Sequence, residues 1–169
     1  LAGEVYTVEL VPSLLERARG LLTELGYRNI RFRAGNGWDG WAEGEPFDAI
    51  LVAAAAPTVP PALTAQLADN GVLVIIAPAE RRMRIEVGYG LEGTLTDLQA
   101  ARIIRDRMTP PFRDGRYDDG VTEGVDAIVA TLEGHVPAET TTAPVESSAG
   151  RSAFDDAEIN AFEGDLPPW

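Results

Sequence analysis

Residues 70–93 read NGVLVIIAPAERRMRIEVGYGLEG, and the fold turns on this stretch. Residues 72–77 are an unbroken apolar run rich in β-branched side chains, the pattern of a strand buried on both faces. Pro78-Ala79-Glu80 predicts a turn. Residues 81–87 then alternate, with Met83, Ile85 and Val87 on one face and Arg82, Arg84 and Glu86 on the other, as in a half-buried strand. The two runs predict a β-hairpin. Gly88, Gly90 and Gly93 predict a loop leading out of it.

Outward toward the N-terminus, strand and helix patterns alternate. Residues 4–10, EVYTVEL, predict a short strand ending at the acid Glu9. Pro12-Ser13 opens a helix with Leu14, Leu15, Ala18, Leu21, Leu22 and Leu25 at helical spacing and Gly26 as C-cap. Residues 29–33, NIRFR, predict a second strand, followed by the Gly-rich loop AGNGWDGWAEGEP with Trp38 and Trp41. FDAILVAA, residues 47–54, reads as a third strand, fully buried. Pro57, Pro60 and Pro61 mark a loop and a helix start, and residues 62–68 predict a short helix leading into the hairpin. This βαβ alternation predicts an α/β fold with a parallel sheet and right-handed crossovers. In open α/β sheets, ligands bind beyond the carboxyl ends of the strands. Glu9, the loop after Arg33 and residues 54–57 fall at those ends.

Outward toward the C-terminus, Thr94 or Thr96 predicts a helix cap, with Asp97 at the positive end of the helix dipole. Ala100, Ile103, Ile104 and Met108 form the apolar stripe, and Pro110-Pro111 is expected to stop this helix. Residues 112–116 predict a turn. A second helix is expected over 117–132, with Tyr117, Val121, Val125, Ile128, Val129 and Leu132 inward. From His135 onward the chain is rich in Thr, Ser, Ala and Pro and carries seven acids against one Arg, which reads as a disordered acidic tail. Residues 155–162 have the pattern of a turn or two of helix. Phe154, Phe162 and Trp169 are the aromatics available there for docking.

The totals set limits. The 169 residues allow one ordinary domain, or one plus a tail. A net charge of −13 disfavours nucleic acid and anionic membrane as partners. All basic residues are Arg, which reads as compositional bias. With no cysteine there is no disulfide, thiolate metal site or Cys nucleophile. No apolar run is long enough to span a membrane. His135, the single histidine, stands at the start of the tail, which argues against Ser-His or His-metal chemistry. Arg81, Arg82 and Arg84 read as a solvated face beside Glu86. The opening Leu1-Ala2-Gly3-Glu4 lacks Met and runs straight into a strand, and reads as an internal start.

GEVYTVELVPSLLERARGLLTELGYRNIRFRAGNGWDGW, followed by PFDAILVAAAAPTVPPALTAQLADNGVLVI, resembles the protein-L-isoaspartate O-methyltransferase family over residues 1 to about 76. The resemblance implies a Rossmann-like sheet that binds S-adenosylmethionine (S-adenosyl-L-methionine). It also implies methyl transfer to isoaspartyl carboxyl groups of proteins or peptides, for protein repair, in the cytoplasm. It places Glu9 on the ribose hydroxyls and the Gly35-Asn36-Gly37 turn along the adenine. The family usually has Asp at Asn36 and commonly Thr at Ala53. Its Gly-rich loop for the methionine part of the cofactor, and the segment with its active-site hydroxyl, are not matched, so cofactor binding by these residues alone is expected to be poor and catalysis absent.

DNGVLVIIAPAERRMRIEVGYGLEGTLTDLQAARIIRDRMTPPFRDGRYDDGVTEGVDAIVATLEG resembles the second half of a TPM domain over about 69–134. That resemblance implies a phosphatase-like or metal-binding module, in an exported protein. Asp69 and Asp97 are then candidate ligands for Ca2+ or Mg2+, because hard cations take clustered oxygens. A third, non-enzymatic reading is an interaction module whose acidic tail, residues 135–169, binds a partner. The two resemblances overlap at NGVLVI, as either a natural fusion or a misassembled reading frame would produce.

Overall fold

The computed structural model describes residues 3–54 and 58–134. The expectations for Leu1, Pro57 and the tail from His135, its three aromatics included, lie outside the described residues. The fold is α/β. Strand β1 (Val5–Glu9) leads through helix α1 (Pro12–Glu24) to β2 (Ile30–Ala34). Strand β3 (Phe47–Ala53) leads through α2 (Pro61–Ala65) to β4 (Leu67–Ala77), and β5 (Arg82–Val87) closes the hairpin. Strand β4 is longer than its apolar run and α2 correspondingly shorter. Helices α3 (Asp97–Ile103), α4 (Thr109–Arg113) and α5 (Tyr117–Leu132) follow, with a π-helical segment, Ile104–Met108, joining α3 to α4.

The strands form two sheets. β1 and β2 pair in parallel, Val5 opposite Ile30 and Glu9 opposite Ala34. The second sheet has the order β3-β4-β5, with β3 parallel and β5 antiparallel to β4.

Strand β4 is the centre of the core, buried from Gly71 to Ala77. On one face Val72, Val74 and Ile76 join Met83 and Ile85 of β5 against Leu95, Ile103, Met108, Phe112 and Ile128. On the other, Leu73 and Ile75 pack with Leu63 and with half-buried Trp38, Ile50 and Val52. The doubly buried strand and the hairpin therefore form as their patterns predict. Gly88 shows why the VGYG segment is needed: its N–H donates to Gly71 O at 2.9 Å, and a Cβ there would collide with the Ala68 and Asp69 carbonyls.

Strand β3 corrects the sequence reading. Its FDAILVA pattern predicts burial on both faces, yet Leu51 is 58% exposed. Ile50 and Val52 face the core, whereas Leu51, opposite Val74, lies beyond the helical layer, which covers β4 and β5. Helix α1 is similar: Leu15 is buried, while Leu14, Leu21 and Leu25 of the predicted stripe are exposed.

Two helical readings also change. Pro110 and Pro111 do not end the helix, which runs on to Arg113. They occupy the first turn of α4, after the π segment, where a missing N–H leaves no bond unmade. The turn comes at Asp114-Gly115, with Gly115 at φ +73°. In α5, Val125 and Val129 point outward, 43% and 44% exposed, and the buried face is Gly120, Gly124, Ala127, Ile128 and Thr131. Small residues win because Gly120 lies against the Phe112 ring and Gly124 against Met108. Among the described residues no helix is long and apolar enough to cross a membrane.

Removing the Leu73 side chain, which has 0% exposure, as Leu73→Ala is expected to lower unfolding stability by about 3 kcal/mol. On exposed Leu51, Leu51→Lys should change stability by about 0.5 kcal/mol or less. Denaturant melts of the two variants check both.

Candidate functional site

Parallel pairing brings the predicted cofactor residues together. Glu9 ends β1 opposite Ala34, and its carbonyl accepts the Gly35 N–H at 3.1 Å, so the strand-end acid and the Gly35-Asn36-Gly37 turn share one sheet end. The Glu9 carboxylate is itself oriented, its Oε1 accepting the Val11 N–H at 2.8 Å. A carboxylate held through one oxygen presents the other, and vicinal hydroxyls are natural donors to it. Asn36 caps the one-turn 3₁₀ segment Gly37–Asp39, its Oδ1 accepting the Trp38 N–H at 3.1 Å. The amide oxygen already has one donor, so the Asn36 side chain adds its NH₂ as a donor toward a ligand, which an Asp in this place would lack.

The loop beyond this turn is gripped on three sides. An Arg33 guanidinium N–H donates to the Gly40 carbonyl. The Arg33 guanidinium carbon lies 4.4 Å from the centre of the Trp41 ring, a cation–π contact. Tyr6 meets Trp41 and Phe47 edge-on at 5.2 and 5.4 Å. From α2, the buried Gln66 accepts the Trp41 N–H at 2.7 Å. Gln66, Arg33 and Tyr6 are not among the residues singled out from sequence. The available signal is one amide, Gln66, in the otherwise apolar and small run ALTAQLA.

A separate charged group lies at the start of the β1-β2 pair. Arg31 donates to Glu4 Oε1 at 2.9 Å, and the Tyr6 hydroxyl to Glu4 Oε2 at 2.9 Å. The Arg31 hydrogen bond, aided by that from Tyr6, holds the Glu4 carboxyl below its ordinary value, and the bond to Glu4 raises the Tyr6 phenol.

The metal candidates stand apart from this. Asp97 lies in the first turn of α3 behind Thr96, whose Oγ1 accepts the Gln99 N–H while Gln99 Oε1 accepts the Thr96 N–H, a capping box. Asp69 is an exposed residue of β4. Among the described residues no three His, Cys, Asp or Glu side chains converge to hold a metal ion, so the Ca2+ or Mg2+ alternative has no built site there. A small cavity lined by Ile76, Met83, Arg81, Arg82, Phe112 and Tyr117 sits at the hairpin turn.

Comparison of the sequence with known proteins points to a class of methyltransferases. Residues 1–88, just over half of the chain, match the Protein-L-isoaspartate(D-aspartate) O-methyltransferase (PCMT) family. The chain belongs to that family. Residues 62–131 match the TPM domain, so the two matches share α2, β4 and β5. Protein-L-isoaspartate O-methyltransferase 1 of Anaeromyxobacter sp. strain Fw109-5 is 48% identical over 109 residues, covering 62% of this chain and 51% of the relative. The protein-L-isoaspartate O-methyltransferase of Anaeromyxobacter dehalogenans strain 2CP-1 is 54% identical over 97 residues, covering 55% and 46%. A solved protein-L-isoaspartate O-methyltransferase superposes with a TM-score of 0.43 at 28% identity, covering 48% of this chain and 26% of that one. The chain spans about half the length of the curated relatives it matches.

Glu4→Gln removes the carboxylate that opposes ionisation of the Tyr6 phenol. Its pKa is then expected to fall back toward 10.0, read by alkaline titration of the assigned Tyr6 ring resonance. With the folded value raised, the Glu4–Tyr6 bond contributes stability below pH 10.0 and loses it as pH climbs through the folded value.

Proposed function

We propose that this chain supplies the nucleoside side of an S-adenosylmethionine site in a protein-L-isoaspartate O-methyltransferase. The observation that carries the reading is the backbone bond from Gly35 N–H to Glu9 O, which locks the strand-end acid to the glycine turn in a chain of that family. The Glu9 carboxylate accepts from the ribose hydroxyls. Gly35 and Gly37 let the backbone approach the adenine, and Asn36 closes the turn beside it. The residues fit a nucleoside: an oriented acceptor at a parallel strand end, then a turn with glycine on either side of its cap. When bound, S-adenosylmethionine supplies an electrophilic methyl group. The acceptor is the misplaced carboxyl of an isoaspartyl residue in a protein or peptide, and the setting is cytoplasmic, as the family resemblance implies. The role of the TPM-like part is to bury β4, since its helices cover the face that carries Val72, Val74 and Ile76.

Adenosine and S-adenosylhomocysteine are each expected to raise the thermal midpoint of the 169-residue chain. For a dissociation constant of about 0.1 mM, about 1 mM ligand adds roughly 1.4 kcal/mol, a shift of a few degrees. Glu9→Ala should remove the shift for both. A midpoint unmoved by either ligand would sink the reading.

A further inference from the structure

The loop that bears Asn36 is anchored by a residue at the junction of α2 and β4. Gln66 is the C-cap of α2 and leads directly into β4. It is 7% exposed, and both its ends are committed: the backbone carbonyl accepts the Phe47 N–H at 2.8 Å, and Oε1 accepts the Trp41 N–H at 2.7 Å. Its amide lies so close under Gly40, which stands at φ +65°, that any Cβ at that position would collide with it. Arg33 of β2 also holds the Gly40 carbonyl and stacks on Trp41. Residues 40–41 are thus clamped by a β2 cation and an α2 amide. This clamp and the Tyr6–Phe47 ring contact bridge two sheets that share no strand pairing.

We propose that Gln66 is a positioning residue for the cofactor turn. By fixing the Trp41 amide it sets where the 35–41 loop sits against the β3-β4 sheet, and so where Asn36 stands relative to the carboxyl ends of both parallel pairs. This rests on the nucleoside reading above. The physical ground is that a half-buried N–H must find an acceptor, and Gln66 Oε1 is the acceptor that comes from the junction of α2 and β4. Asn36 bonds only locally, to Trp38, and that bond does not tie the loop to either sheet.

The test compares Gln66→Met, which keeps length and burial without an acceptor, with Gln66→Glu, which restores an acceptor oxygen. Amide hydrogen exchange of the full chain and calorimetric titration with adenosine are the readouts. Gln66→Met is expected to speed exchange at Trp41 about 10-fold and weaken adenosine binding about 10-fold, while exchange at Leu73 is unchanged. Gln66→Glu is expected to return both toward wild type. The proposal is overturned if Gln66→Met leaves Trp41 exchange and binding unaltered. It is overturned equally if Gln66→Glu is as poor as Gln66→Met, or if Leu73 exchange accelerates in step with Trp41, since Gln66 would then be ordinary packing. Should the wild-type chain bind no adenosine, the nucleoside reading fails by itself, and Trp41 exchange alone decides whether Gln66 anchors the loop.

Discussion

Both cores of this molecule depend on one strand being buried on two faces. Side chains alternate along a strand, so β4 sends Val72, Val74 and Ile76 to the helices and Leu73 and Ile75 to α2, Trp38 and β3. The same backbone pairs with β3 on one edge and β5 on the other, which satisfies its N–H and C=O groups away from water. Residues matched to two families meet on this strand, and what each needs from it is the same: an apolar run without charge or proline. The join is physically acceptable because a doubly buried strand carries little information about what covers it.

Away from β4, burial thins out. The β1-α1-β2 unit has only Leu15 fully buried along its helix, and β1 and β3 each pair along one edge. Side-chain contacts hold this unit to the rest: Tyr6 against Phe47, Trp38 against the cluster of Leu63, Leu73 and Ile75, and the Trp41 N–H on Gln66. The predicted cofactor residues therefore sit on the less buried side of the molecule, at the ends of strands.

Much of this was legible beforehand, for identifiable reasons. Apolar periodicity marked β4, β5 and α5, and the acid closing EVYTVEL marked Glu9. Pattern failed where burial depends on a neighbour in space. FDAILVA has the composition of a central strand, and Leu51 is left in water because the helical layer covers β4 and β5 but stops short of that face of β3. In α5 the large residues Val125 and Val129 looked inward, but close helix approach selects Gly120 and Gly124. The prolines at 110 and 111 read as a stop because the π segment that places them in a new first turn leaves no mark in sequence. The Gln66 to Trp41 bond spans 25 residues and joins the end of α2 to the loop after β2, so no local rule points to it.

The clamp at Trp41 has a consequence for how the molecule opens. A unit tied down by a few rings and one amide, next to a core centred on Leu73 and Ile75, defines two cooperative blocks of unequal strength. The weaker block, with the glycine turn, is then the first to detach on mild heating, while the hairpin and its helices persist as a native remnant. Proteases would nick near the 35–46 loop before touching β4, and a ligand spanning Glu9 and Asn36 would act as a staple on the block that opens first.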